Sequence, residues 1–445
     1  MIDGLQETPR VAAKLERDEL GVQLTIPFLD GHDDIYSYWF SSGIMFGDDP
    51  DRTKRRYNPP SSLSFYDSAG KVGLVGSRVS GSKRVMGGTG IGEGRLRFDY
   101  TILGAMSGPT YEQINGLRSE IEGLGTWVGL RSLSTEPELE AGRVKAVDLR
   151  LESPPNIPVA RRLNAEFRAN WRYGPGTAPD EITISERLQV QTNVKRGVDW
   201  DDHLRVHFSI RNLLRLVAWR ELKFASHEVT RATDGVRTLD GKRHGDIWLP
   251  VLTQRTGMTV GPPTKLRQND FLFNFTDVGG KGVGRWLQLV TKFERGLSLL
   301  IGVLDLDGAS LEAHIAQIGI GFEMLGYDLL VEAGISRTQA SKRSYAELVA
   351  VVTAAVEDVL PFSGAGFPDL LRRTYIGVKH ADRARPDVNE GLLAYLQAVQ
   401  VVRAWVGSRL GVSKGRLQQA LRDDARSLRI QELYGELALA GSKKA

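Results

Sequence analysis

The sequence predicts an α+β fold, with an N-terminal antiparallel, sandwich-like β region followed by a C-terminal helical bundle. Two observations carry this. From about residue 20 to 295, Gly, Pro, Asn and Asp punctuate the chain roughly every 8 to 15 residues, and the apolar residues between those breaks mostly alternate. After "TDVGGKGVGRWLQLV" the apolar period lengthens to about 3.6 and holds to the end. The expected units are therefore 1–295, β-rich, and 296–445, a bundle.

Strands are expected at "GVQLTIPF", "KVGLVGSRV", "RLRFDYTIL", "RVKAVDLRLES", "EITISERLQVQT" and "DHLRVHFSIRN", where apolar and polar residues alternate as on a half-buried strand. One interruption, "TYEQINGLRSEIEGLGTWVGL", places Ile114, Leu117, Ile121 and Leu124 at helical spacing and predicts a helix on a sheet. The prolines of "LESPPNIP", near 153–158, mark a join between two β lobes. "MGGTGIGEG" lacks the Gly-Lys-Ser/Thr ending of a phosphate loop and reads as a hairpin; "GGKGVGR" reads as the hinge between the two regions. Tryptophans 39, 127, 171, 200, 219, 248 and 286 fall among the β segments as core residues.

Five helices follow. The first runs through "SLEAHIAQIGIGFEMLGYDLLVEAG", with Gly334 placed as its cap. The second is "RSYAELVAVVTAAVEDVL", where Ser344 and Glu347 have capping-box spacing. The third starts at Pro368 and must stop before Pro386. The fourth, "NEGLLAYLQAVQVVRAWVGSRLG", is the most apolar and so central, and "SKGRLQQALRDDARSLRIQELYGEL" closes the chain. Short connections between four main helices make an antiparallel bundle.

Composition excludes whole classes of chemistry. The 445 residues include no cysteine, which removes disulfides, zinc-thiolate sites, iron-sulfur clusters and thiol nucleophiles. A reducing compartment costs such a chain nothing, so the cytoplasm is expected. The N-terminus mixes acids and bases without an apolar core, and no window approaches the roughly 18 apolar residues of a membrane span. Net charge is +4 overall, yet residues 161–300 hold 23 Lys and Arg against 15 Asp and Glu, an excess of 8. Such a region attracts polyanions, RNA among them.

The titratable candidates lie in two places. "DWDDHLRVHFSI" offers His203 and His207 beside Asp199, Asp201 and Asp202; on a helix that spacing suits zinc, but the alternation of Leu204, Val206, Phe208 and Ile210 reads as strand, which separates the imidazoles by about 13 Å. No metal is expected there. In "FPDLLRRTYIGVKHADRARP", Arg373 and His380 are seven positions apart, about 20° short of two helical turns and about 10.5 Å along the axis. Histidine takes and returns a proton near neutral pH, and arginine forks onto phosphate oxygens. That pairing suits RNA cleavage, because the 2′-hydroxyl supplies the nucleophile and no metal or cofactor is needed. Lys379 projects about 100° away, as an RNA-phosphate contact or solvated charge, and Tyr375 is open in the same way.

At these residues the chain resembles ApeA-like anti-phage defence proteins with a C-terminal HEPN domain. The resemblance rests on Arg, a short spacer, then His on the third bundle helix ("RTYIGVKH"), on "GRWLQLVTKFERGLSLLIGVL" before the bundle, on Glu323 in "GFEMLGY", and on the β-rich N-terminal region. It implies a metal-independent endoribonuclease acting in abortive infection and leaving a 2′,3′-cyclic phosphate. Arg373 and His380 would be catalytic, with Arg372, Thr374, Lys379 and Glu323 supporting them or binding RNA. It further implies a homodimer through the bundle and a phage-derived trigger bound by the N-terminal region. Thr374 stands where active relatives commonly have Asn, Asp or His, and Arg372 in a shifted register is the alternative arginine. Two other functions stay open: a β-sandwich ligand-binding protein whose bundle only dimerises, and a HEPN toxin of a toxin–antitoxin pair.

Overall fold

The computed structural model describes residues 2–3, 10–29, 35–40, 59–83, 91–105, 111–176, 178, 180–254 and 265–442. Ten strands form one sheet in which every neighbouring pair is antiparallel. In spatial order they are Ile2–Asp3, Ser62–Asp67, Gly70–Val75, Tyr100–Leu103, Leu249–Thr253, Phe224–Thr230, Gln113–Ile121, Ile182–Asp199, Ala165–Pro175 and Ile157–Ala160. A second sheet is built from Lys14–Asp18, Gly21–Leu29, Ile91–Arg97 and Arg78–Lys83. Strands before and after the proline-rich stretch 152–156 belong to the same ten-stranded sheet.

Among the described residues the α-helices are α1 (Ile35–Phe40), α2 (Leu124–Val128), α3 (Trp200–Ala218), α4 (Phe275–Lys292), α5 (Glu294–Gly302), α6 (Leu311–Glu332), α7 (Arg337–Ala340), α8 (Tyr345–Ala354), α9 (Phe367–Lys379), α10 (Val388–Leu410), α11 (Lys414–Asp423) and α12 (Ala425–Ser442). None is long and apolar enough to cross a membrane. α6, α8, α9 and α10 pack mutually as the bundle. α10 lies at its centre and is buried nearly all round: Leu393, Ala398, Val399, Val402, Trp405 and Val406 are buried, and so are Gln397, Gln400 and Arg403. Asp387 caps its start by accepting from the backbone N–H groups of Asn389 and Glu390, and Gly411 ends it at φ 91°. The Ser344–Glu347 capping box of α8 forms as read from the sequence.

A continuous core joins sheet and bundle. It runs from Phe167 and Val190 through Leu213 and Leu214 of α3 and Trp286 of α4 to Leu325, Val349, Leu371 and Val402. Each such side chain taken from water contributes about 1.5–3 kcal/mol, so the two regions stabilise one another.

Four expectations are corrected by this architecture. The predicted helix over 110–130 is instead the central strand Gln113–Ile121 followed by the single turn α2. The strand is covered on both faces, so it buries Arg118 and Ser119 together with Ile114 and Leu117 and has no clean two-fold pattern. The predicted strand over 202–212 is the start of α3, whose buried residues His203, Leu204, Val206, His207, Ile210, Leu213 and Leu214 follow the helical period; of the four alternating residues Leu204, Val206 and Ile210 belong to that stripe, and Phe208 is half-buried beside it. "GGKGVGR" is no hinge but lies inside α4, which tolerates one non-helical residue at Gly279, φ 61°. The last helix divides into α11 and α12 at Asp424, which adopts extended backbone and accepts from Arg426 N–H, serving as the cap of α12. Of "MGGTGIGEG", residues 86–90 lie outside the described residues, and Ile91 onward is strand.

Candidate functional site

Helix α9 begins with Pro368 in its first turn, Asp369 there as well, and Lys379 in its last turn, an order that suits the helix dipole. Phe367, Leu370, Leu371, Thr374 and Tyr375 form its buried stripe. Thr374 is buried and donates its hydroxyl back to the carbonyls of Leu370 and Leu371, both at 3.0 Å. It therefore holds the helix rather than facing a substrate. The ring of Tyr375 stacks on Tyr345 of α8 with centroids 5.0 Å apart. Tyr345 donates to the carbonyl of Gly319 at 3.2 Å, while burial, then Tyr375 and the Glu323 carboxylate, push its hydroxyl well above the usual phenol range.

Arg373 lies midway along α9 and His380 just past its end, and both are exposed. Arg373 is about half exposed, at 54 %, and its guanidinium meets Glu390 at the start of α10 at 3.5 Å. His380 is exposed, and its imidazole has no hydrogen-bond partner among the described residues. The helix itself ends one residue earlier than the spacing argument assumes. His380 adopts extended backbone at φ −116°, ψ 119°, although its N–H still closes the last turn onto Ile376. It is thus the first residue of the connection to α10, which folds back over α9 at Gly377: a Cβ there would lie 2.8 Å from the Ala384 carbonyl oxygen. Arg385 pins this connection to Glu312 of α6.

The other candidates separate. Arg372 is half-buried and turns to Asp369 on its own helix at 3.3 Å. Lys379 is exposed with its ammonium 5.5 Å from the Tyr375 ring centroid, and Glu323 is exposed on α6 beside the tyrosine pair. Sequence reasoning missed Glu390, since nothing local signals that a residue 17 positions from Arg373 will meet it.

The glycine under Tyr375 positions the whole helix. A Cβ on Gly319 would stand 2.3 Å from the tyrosine ring. Gly319→Ala should therefore push α9 outward and cost about 1–3 kcal/mol of stability, measured as a lowered melting temperature. The double change with Tyr375→Leu should recover part of that loss; a single variant melting like the parent would refute the contact.

His203 and His207 are brought together, contrary to the strand reading, and His227 joins them. All three are buried. His203 Nε2 lies 3.3 Å from the Ile114 carbonyl, so it carries the proton, and Nδ1 accepts from the Thr192 hydroxyl at 2.7 Å. His207 Nε2 then donates to Thr192 at 2.9 Å, its Nδ1 accepts from Ser119 at 2.7 Å, and His227 Nδ1 donates to Ser119 at 2.7 Å. The chain is satisfied in one direction by three neutral imidazoles. Among the described residues no His, Asp and Glu group is arranged to hold a metal ion. The histidines fasten α3 to the sheet.

In comparison with known proteins, the family model described as ApeA N-terminal domain 1 matches residues 6–286, well over half of the chain. Neither the curated proteins nor the solved structures contain a match. The β-rich architecture over those residues, the helical region after them and the extent of the matched segment place this chain in the ApeA family of anti-phage defence proteins.

Proposed function

We propose that this anti-phage protein is a HEPN-type endoribonuclease that cuts RNA without a metal, using Arg373 and His380. The observation that carries the reading is the exposure of both side chains, Arg373 midway along α9 and His380 just past its end, with Arg373 meeting Glu390 and the His380 imidazole without a hydrogen-bond partner among the described residues. His380 would take the proton from a ribose 2′-hydroxyl as its oxygen attacks phosphorus; the bond to the 5′-oxygen breaks, leaving a 2′,3′-cyclic phosphate. Arg373 would stabilise the charge on the five-coordinate phosphorus. Two copies pairing through the bundle would present a second histidine to protonate the departing 5′-oxygen. In this reading the N-terminal region senses an infection signal in the cytoplasm, and Lys379 and Glu323 flank the RNA path.

The test is cleavage of single-stranded RNA by the full chain in EDTA. His380→Ala should reduce the rate about 100- to 10,000-fold, Arg373→Ala should reduce it comparably, and Arg372→Ala should stay near the parent, all with unchanged melting. RNA ends should carry cyclic phosphate. Undiminished cleavage by a folded His380→Ala chain, or loss of cleavage on adding EDTA, would overturn the proposal and leave the bundle a binding or pairing module.

A further inference from the structure

A cleft of about 810 Å³ lies where the edge strand Ile157–Ala160 meets α3 and α4. Its floor is apolar, formed by Val159, Val206 and Leu287. Its rim is cationic: Arg161, Arg162, Arg205, Lys281, Arg285 and Lys292 all line it, and all are exposed. Among the described residues no carboxylate lines the cleft. Two approach from outside: Asp202 sits 3.4 Å from Arg162 and 3.7 Å from Arg205, and Glu332 holds Lys292 at 2.6 Å. Arg285 is turned to the Leu410 carbonyl. Arg161 and Lys281 have no ion pair among the described residues.

Six positive charges against two negative ones around an apolar floor focus a positive potential into the cleft. This is where part of the basic excess of residues 161–300 is gathered. The complement of such a site is an anion with several charges and a flat apolar body. The volume falls within the roughly 300–1,000 Å³ that holds one small molecule, which favours a free ligand over a strand of nucleic acid. We propose that the cleft binds a nucleoside triphosphate, its base on Val159, Val206 and Leu287 and its phosphates against Arg161 and Lys281. The site is separate from Arg373 and His380, and its test is binding alone, so it stands or falls independently of ribonuclease activity.

The experiment is isothermal titration of the full chain with ATP, GTP, CTP and UTP in turn, with the matching nucleosides and a single-stranded RNA oligomer as comparisons. At least one triphosphate should bind well below millimolar concentration, its nucleoside far more weakly. Arg161→Glu and Lys281→Glu should each weaken it about tenfold or more while leaving the melting temperature unchanged. The proposal is overturned if no triphosphate binds at millimolar concentration, if both charge reversals leave triphosphate affinity unchanged, or if they weaken RNA binding while leaving triphosphate binding intact.

Discussion

Asp424→Ala should lower the stability of the folded chain by about 3–5 kcal/mol, the usual result of stripping one partner from a buried ion pair. Arg403 of α10 is only 1 % exposed, and its guanidinium meets the Asp424 carboxylate at 2.6 Å, Gln400 at 3.0 Å and the Val217 carbonyl of α3 at 2.7 Å. Burial presses the Arg403 guanidinium down to about 10, so its charge is maintained at a cost that Asp424 offsets. Burial pushes the Asp424 carboxyl up, but Arg403 and then Arg426 more than reverse this and hold it below the usual carboxylate range. Asp424 also caps α12, and Arg426 reaches the Trp219 carbonyl just past α3. The cluster therefore ties α10 and α12 to the helix that packs on the sheet. Removing the carboxylate leaves a buried cation unpaired. Changing both residues, Arg403→Met with Asp424→Leu, should recover much of the loss, because no lone charge is left behind. Calorimetric melts of the parent, single and double variants decide it; a single variant as stable as the parent would show that Arg403 draws little from Asp424.

The second large effect is a loss of stability in mild acid. Burial lowers His227 to about 3, lowers His203, and, with the neighbouring histidines, lowers His207 well below the usual imidazole range. The sign follows from proton counting. Below about pH 6.5 the unfolded chain binds protons at these residues while the folded chain does not, so stability falls as pH falls, until the folded values are reached. Each histidine contributes up to about 1.4 kcal/mol per pH unit, so the three together contribute at most about 4 kcal/mol per unit. A proton added at Nδ1 of His203 or His207 would meet the hydrogen that Thr192 or Ser119 already donates there, and at His227 burial alone opposes the charge. Melting temperatures between pH 7 and 5 should fall steeply, and His227→Gln should flatten the fall by roughly a third. A flat profile in the parent over that window would refute the neutral arrangement.

Much of the fold was legible locally. Five of the six strand segments and the bundle helices were visible in their periods, and Ser344 and Pro368 mark helix starts as capping chemistry requires. The two misread elements, one strand and one helix, share a cause. Gln113–Ile121 is sandwiched by neighbours on both faces, and α3 carries two buried histidines on the stripe that should be apolar. In each case the polar residues are buried because distant partners satisfy them, and periodicity reads local burial without seeing partners.

At the candidate site, Arg373 and His380 were singled out by their spacing in the sequence, and the helix that carries Arg373 was legible there too. Their exposure, the end of the helix at Lys379 and the grip of Glu390 were not. By itself the sequence determined which segments are helix or strand wherever one face meets a core, the absence of thiol chemistry, and the residues able to exchange a proton or hold a phosphate. Only the tertiary structure decided which polar side chains meet, Ser119 with His227, Arg403 with Asp424 and Arg373 with Glu390, and which cations line one cleft. Those contacts join residues far apart in the chain, and their geometry exists only once the continuous core has closed around them.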